Sequence, residues 1–123
     1  MRFLTLLFVF LVSLSVVPLA ADARSDAKKQ IEFGISVAQR GLWREAIYRW
    51  ERAAHIDPTY AAAHNNLAIA YEHEGDLEKA RVAYEKALEL EPNNALIKQN
   101  YELFKEINDR TTRKDSPDNP DTQ

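Results

Sequence analysis

Three histidines, His55, His64 and His73, recur at a spacing of nine residues and are the side chains best suited to chemistry in this chain. A metal site needs its ligands to converge on one point. On a single helix nine residues make about two and a half turns, so His64 and His73 point to opposite sides. His55 falls on a different helix in the pattern described below, and a shared metal site is not expected. His64 reads as a packing residue and His73 as a solvated or groove-lining one. There is no cysteine, which removes disulfides, thiolate ligands and thiol nucleophiles. The acid pairs Glu72/Glu74 and Glu89/Glu91 read as surface charge, as do Glu78, Lys79, Glu85 and Lys86, where pairs three or four apart help a helix slightly. No glycine-rich phosphate loop and no HExxH pattern is present, and no serine has a His and an Asp arranged around it. The sequence therefore predicts no catalytic residue, no cofactor and no metal. Acidic residues number 19 and basic ones 16, for a net charge of −3, which is no footprint for nucleic acid.

The elements that carry these residues repeat. Gly75 has Gly41 behind it by 34 residues; Ala80 has Ala46, Tyr84 has Trp50, Ala87 has Ala53, Leu90 has Ile56 and Pro92 has Pro58. A fixed period of this size marks a repeat array. Each unit reads as two helices, over 27–40 and 43–56, then over 61–74 and 77–90. Gly41 and Gly75 end the first helix of each unit, because glycine takes the left-handed conformation without penalty. Asp76 is placed to cap the helix after it, and Asn93 or Asn94 the next. Pro58 and Pro92 stop the second helices. Ala46, Ala53, Ala80 and Ala87 mark close helix crossings, and Phe33, Val37, Trp50, Leu67, Tyr71 and Tyr84 fill the gaps beside them.

A third helical stretch, 95–108, carries Leu96, Ile97, Tyr101, Leu103, Phe104 and Ile107 on one side and charges on the other. That pattern suits the end of a solenoid, with one face packed and one in water. From Arg110 the chain has nothing apolar to bury and is expected to be disordered to 123. At the other end, Met1-Arg2 and the uncharged apolar run 3–17 precede Pro18 and Ala21-Asp22-Ala23, the pattern of a signal peptide. The expectation is residues 1–23 as a signal peptide cleaved after Ala23, a helical domain over 24–109, and an exported, periplasmic or secreted product. An uncleaved membrane anchor is the alternative, and the apolar run is slightly short to span a bilayer.

The stretch AAAHNNLAIAYEHEGDLEKARVAYEKALELEPNN, 61–94, resembles a tetratricopeptide repeat through Leu67, Ala68, Tyr71, Gly75, Ala80, Tyr84, Ala87 and Pro92. Residues 27–60 resemble it more loosely, through Phe33, Gly34, Ala46, Trp50, Ala53 and Pro58. They depart at Leu42, where a capping Asp is common, and at Val37, where an aromatic is common. Gln30 and His64 stand where the family often has Trp. The resemblance implies an all-α fold, a short solenoid of two helix-turn-helix repeats with a C-terminal capping helix, and a concave surface that holds a partner's peptide or helix.

Helical angles put Ile31, Ile35, Ala38 and Gln39 of the first helix, Asn65, Ile69, Glu72 and His73 of the third, and Gln99 and Leu103 of the last away from the packing face, and stacking of the kind the resemblance implies makes them a candidate groove. Ile31 and Ile35 stand where a two-carboxylate clamp for chaperone tails would need a Lys and an Asn, so that variant is not expected. The expected function is an adaptor or scaffold docking another protein. A structural subunit that self-associates, or assembles in a larger envelope complex, is the alternative, since apolar surface on two sides of the first helix needs a cover.

Overall fold

A computed structural model describes residues 17–114. They form five α-helices: α1 Val17–Ala38, α2 Trp43–Ile56, α3 Ala61–His73, α4 Leu77–Leu90 and α5 Ala95–Lys114, with no strand among the described residues. The helices pair as two antiparallel hairpins, α1 with α2 and α3 with α4. α2 also packs on α3, α4 on α5, and α1 runs beside α3. Asn100 on α5 donates to Asn65 Oδ1 on α3 at 3.1 Å, so α1, α3 and α5 line up as one layer and α2 and α4 back it. This is a short all-α solenoid of two helix-turn-helix units and a terminal helix.

The turns are copies of each other for a conformational reason. Gly41 and Gly75 both have φ of 78°. Leu42 N–H donates to Val37 O at 3.0 Å, and Asp76 N–H donates to Tyr71 O at 2.8 Å, which closes the last turn of α1 and of α3 in the same way. A Cβ on either glycine would meet nothing within 4 Å, so the backbone angle, not crowding, demands glycine there. Asp76 caps α4 by accepting from Lys79 N–H at 3.2 Å, and Asn94 caps α5 by accepting from Ile97 N–H at 3.2 Å. Leu42 gives α2 no such cap. Before Pro58 and Pro92 the chain leaves the helical region, with φ of −135° at Asp57 and −133° at Glu91.

The four alanines of the helix crossings, Ala46, Ala53, Ala80 and Ala87, are completely buried, and Trp50 and Tyr84 fill the space beside them. Gly34 belongs to the same packing. A Cβ there would come within 2.3 Å of Trp50 Nε1.

Several expectations are corrected. α1 begins at Val17 and ends at Ala38, where a helix over 27–40 was expected, so Ala21–Ala23 lie within it. Phe33 is half exposed and lies under the Arg49 guanidinium, 4.2 Å away, because among the described residues no earlier hairpin covers it. The buried side of α1 is instead Ala27, Ile31, Gly34 and Val37. On α5 only Ile97 and Phe104 are buried, with Tyr101 partly so; Leu96, Leu103 and Ile107 face outward. α5 also runs past Arg110 to Lys114, helped by the Arg110–Glu106 ion pair and by Thr111 Oγ1 donating to Ile107 O. The n-region and most of the apolar run of the expected signal peptide, and the tail beyond 114, lie outside the described residues.

Candidate partner-binding surface

Residues at one register of α1, α3 and α5 share a side of the layer because equivalent positions on those helices lie 34 residues apart in the repeat. Ile35, Ile69 and Leu103 are one such set, separated by 34 and 34. Ile35 is 41% exposed and Leu103 55%, while Ile69 is partly covered and packs against the main core cluster. Gln39, just past the end of α1, and Gln99 on α5 are exposed, and Ala38 is partly buried.

Two expected groove residues are closed. Ile31 is only 5% exposed and belongs to the core cluster, with its carbonyl accepting from the Trp50 indole at 3.1 Å. Asn65 is 6% exposed and its amide oxygen is engaged by Asn100. Asn65 therefore joins α3 to α5, and neither residue offers a ligand a free face. Ile31 is closed by the core that includes Trp50 of α2, and Asn65 by α5, each one turn before the isoleucine of the set.

Glu72 is half-buried and its Oε2 accepts from the Tyr84 hydroxyl at 3.0 Å. Burial, then the Glu72 charge and this bond, push the Tyr84 phenol well up from its ordinary value, so it remains a neutral donor. His73 is exposed and stacks on Trp43, with ring centroids 4.0 Å apart and planes at 19°. Its Nδ1 lies 3.8 Å from the Glu74 carboxylate. His64 Nε2 meets Pro58 O at 3.0 Å, which ties the linker between the hairpins to α3. His64 and His73 thus have separate partners.

The sequence reading missed Leu77, Leu96 and Ile107 as surface. Each is an exposed large apolar side chain. The signal was present in the period: Leu77 follows Trp43 by 34 residues, and Ile107 follows His73 by 34. With Leu103 they are exposed apolar side chains of α4 and α5. The surface carries apolar side chains, amides, the half-buried Glu72 carboxylate and the exposed His73 ring, a lining that suits docking.

Comparison with known proteins agrees with this geometry. The tetratricopeptide repeat family model matches residues 61–94, and a second TPR repeat model matches residues 37–75. Among curated proteins, the type IV pilus assembly protein PilF of Pseudomonas aeruginosa is 34% identical over 89 residues, covering 71% of this chain and 35% of that protein. The protein O-mannosyl-transferase TMTC4 of Mus musculus is 36% identical over 64 residues, 52% of this chain and 9% of that protein. The chloroplastic tetratricopeptide repeat domain-containing protein PYG7 of Arabidopsis thaliana is 32% identical over 73 residues, 59% of this chain and 24% of that protein. The chain spans about a third or less of the length of these relatives. It carries tetratricopeptide repeats, an architecture that commonly binds other proteins.

Proposed function

We propose that this protein is an exported adaptor or scaffold that docks a partner's extended peptide or helix across α1, α3 and α5. The carrying observation is the run of Ile35, Ile69 and Leu103 at one register, with Ile35 and Leu103 exposed at its two ends while Ile31, one turn away on α1, is closed. Apolar anchors of the partner would pack on these three, and Gln39 and Gln99 would hydrogen-bond its backbone. Docking of this kind makes and breaks no bond and takes no cofactor. Similarity to a pilus assembly protein supports work in the cell envelope. The leader-like run 3–17 supports export, with cleavage after Ala23 as the proposed processing step.

Ile35→Glu tests the reading. It places a charge on an already exposed position, so circular dichroism should stay helical while capture of the partner is lost. Undiminished capture by the folded variant would overturn it.

A second reading is a structural subunit that self-associates. It is favoured by the exposed Phe33, Leu96 and Ile107, since apolar side chains left in water mark interaction surfaces. Light scattering separates the two: a folded monomer at low micromolar concentration counts against obligate assembly.

A further inference from the structure

The outer faces of α2 and α4 share one register and handle charge differently. Each cation of α4 has a carboxylate: Lys79 pairs with Asp76 at 3.6 Å, Arg81 with Glu78 and Glu85, and Lys86 with Glu89 at 3.3 Å. Thirty-four residues earlier, the positions of Glu78, Val82, Lys86 and Glu89 hold Arg44, Tyr48, Arg52 and His55. Tyr48 is 50% exposed, Arg44, Arg52 and His55 are exposed, and neither arginine has a carboxylate partner among the described residues. Spacing is the cause. The residues of α2 three or four places from Arg44 and Arg52 are Ile47, Tyr48, Arg49, His55 and Ile56, and none is an acid. The two nearby acids are already engaged, Glu45 by Arg49 Nε at 2.7 Å and Glu51 by the Tyr71 hydroxyl at 2.9 Å.

Arg44, Tyr48 and Arg52 are four residues apart and stand in line along one side of α2, with the two arginine positions about 12 Å apart. Tyr48, Arg52 and His55 open into a shallow hollow of about 430 Å³, shared with Glu51 and Ile56. Guanidinium groups take carboxylates through paired N–H···O bonds, and Tyr48 sets a ring and a hydroxyl between them. An extended chain rises about 3.3 Å per residue, so carboxylates four residues apart lie about 13 Å apart and match the two arginines. Helical angles place Glu45 and Glu51 on either border of the line, which confines the positive charge to a narrow strip. A flat anionic surface would meet both border carboxylates; a narrow segment lies between them. The chain's own acids beyond 114, Asp115, Asp118 and Asp121, follow α5, which packs on α4, whereas α2 belongs to the first hairpin.

We propose that the outer face of α2 is a second docking surface, on the backing layer and apart from the Ile35–Leu103 run. Its occupant is an extended acidic segment of a partner protein, with two carboxylates about four residues apart. A scaffold that joins two proteins needs two such faces, and this one is independent of the Ile35 surface.

The test titrates an acetylated seven-residue peptide, with Glu at its second and sixth positions and Gly or Ser elsewhere, into the purified protein at low salt. Backbone amide resonances are followed. The expected result is saturable shifts at Arg44, Tyr48, Arg52 and His55, at least fivefold weaker with Gln in place of Glu in the peptide, and weakened by high salt. Arg44→Gln with Arg52→Gln should stay helical, since both positions are exposed, and bind the peptide at least fivefold more weakly. Lys86→Gln, at the register of Arg52 on α4, should bind within twofold of the wild-type protein. No saturable shift along α2 in the folded protein would overturn the proposal, as would equal binding of the Gln peptide or undiminished binding by the folded double variant. Shifts along α2 on truncation after Lys114 would give the face to the chain's own acids. Flotation with phosphatidylglycerol vesicles that is lost in the double variant would give it to a membrane. Either result would overturn the proposal.

Discussion

The Trp50 indole N–H donates to the Ile31 carbonyl at 3.1 Å across a gap that exists because Gly34 has no side chain. A helix-interior glycine normally weakens a helix relative to alanine. Here it allows α1 and α2 to close on a large aromatic that is almost wholly buried. Gly34→Ala should therefore destabilise despite its better helix propensity, by about 1–3 kcal/mol of overpacking. Thermal melting checks this, with a fall of roughly 4–8 °C per kcal/mol for a domain of this size. A raised melting temperature would mean that the indole moves aside at no cost.

Leu42 and Asp76 occupy the N-caps of α2 and α4 with nearly the same backbone angles, φ −87° and ψ 63° against φ −86° and ψ 75°. Only Asp76 caps. Leu42→Asp should add the missing bond and remove an exposed leucine, stabilising by about 0.5–2 kcal/mol. The measurement is the shift in urea midpoint at unchanged slope.

Ala80 has no exposed surface at the α3–α4 crossing. Ala80→Leu should cost about 1–3 kcal/mol, because the added methylenes have nowhere to go without moving a helix. An unchanged melting curve would place that crossing elsewhere.

Arg24 on α1 pairs with Asp57 in the linker between α2 and α3, reaches Thr59 Oγ1 at 3.3 Å and lies 4.3 Å over the Tyr60 ring. Burial alone would raise the Asp57 pKa. The bonds from the Thr59 hydroxyl, Arg24 and the Thr59 N–H outweigh it and hold the carboxyl below its ordinary value. A depressed carboxylate contributes stability above its unfolded pKa, about 3.9, and that contribution disappears as pH falls through the folded value. Asp57→Asn should lower the melting temperature at pH 7 and flatten its decline below about pH 4. A parallel decline in both proteins would show that the bridge carries no pH dependence. Cleavage after Ala23, as proposed, would make Arg24 the first residue while leaving this clamp its side chain.

Much of the architecture was legible because its causes are local or strictly periodic. Gly41 and Gly75 satisfy one backbone angle twice, and the buried alanines recur at the period that brings helices together. The site was less legible because exposure depends on neighbours. Ile31 and Ile35 lie one turn apart on α1, yet the core around Trp50 buries the first and leaves the second open. Phe33 has the register of buried Leu67 but no preceding hairpin over it among the described residues. Asn65 reads as a groove residue until Asn100, 35 positions later, takes its oxygen. A cleft lined by both Leu77 and Ile107 needed the two ends of a 30-residue span to be placed together.

Site-specific photo-crosslinking tests the docking surface most directly. A photoreactive residue is placed in turn at Ile35, at Leu103 and at Val82, an exposed position on α4 outside the proposed surface. The account predicts one and the same adduct from positions 35 and 103, in the exported fraction, and none from 82. An adduct formed from 82 and absent from both 35 and 103 would contradict it.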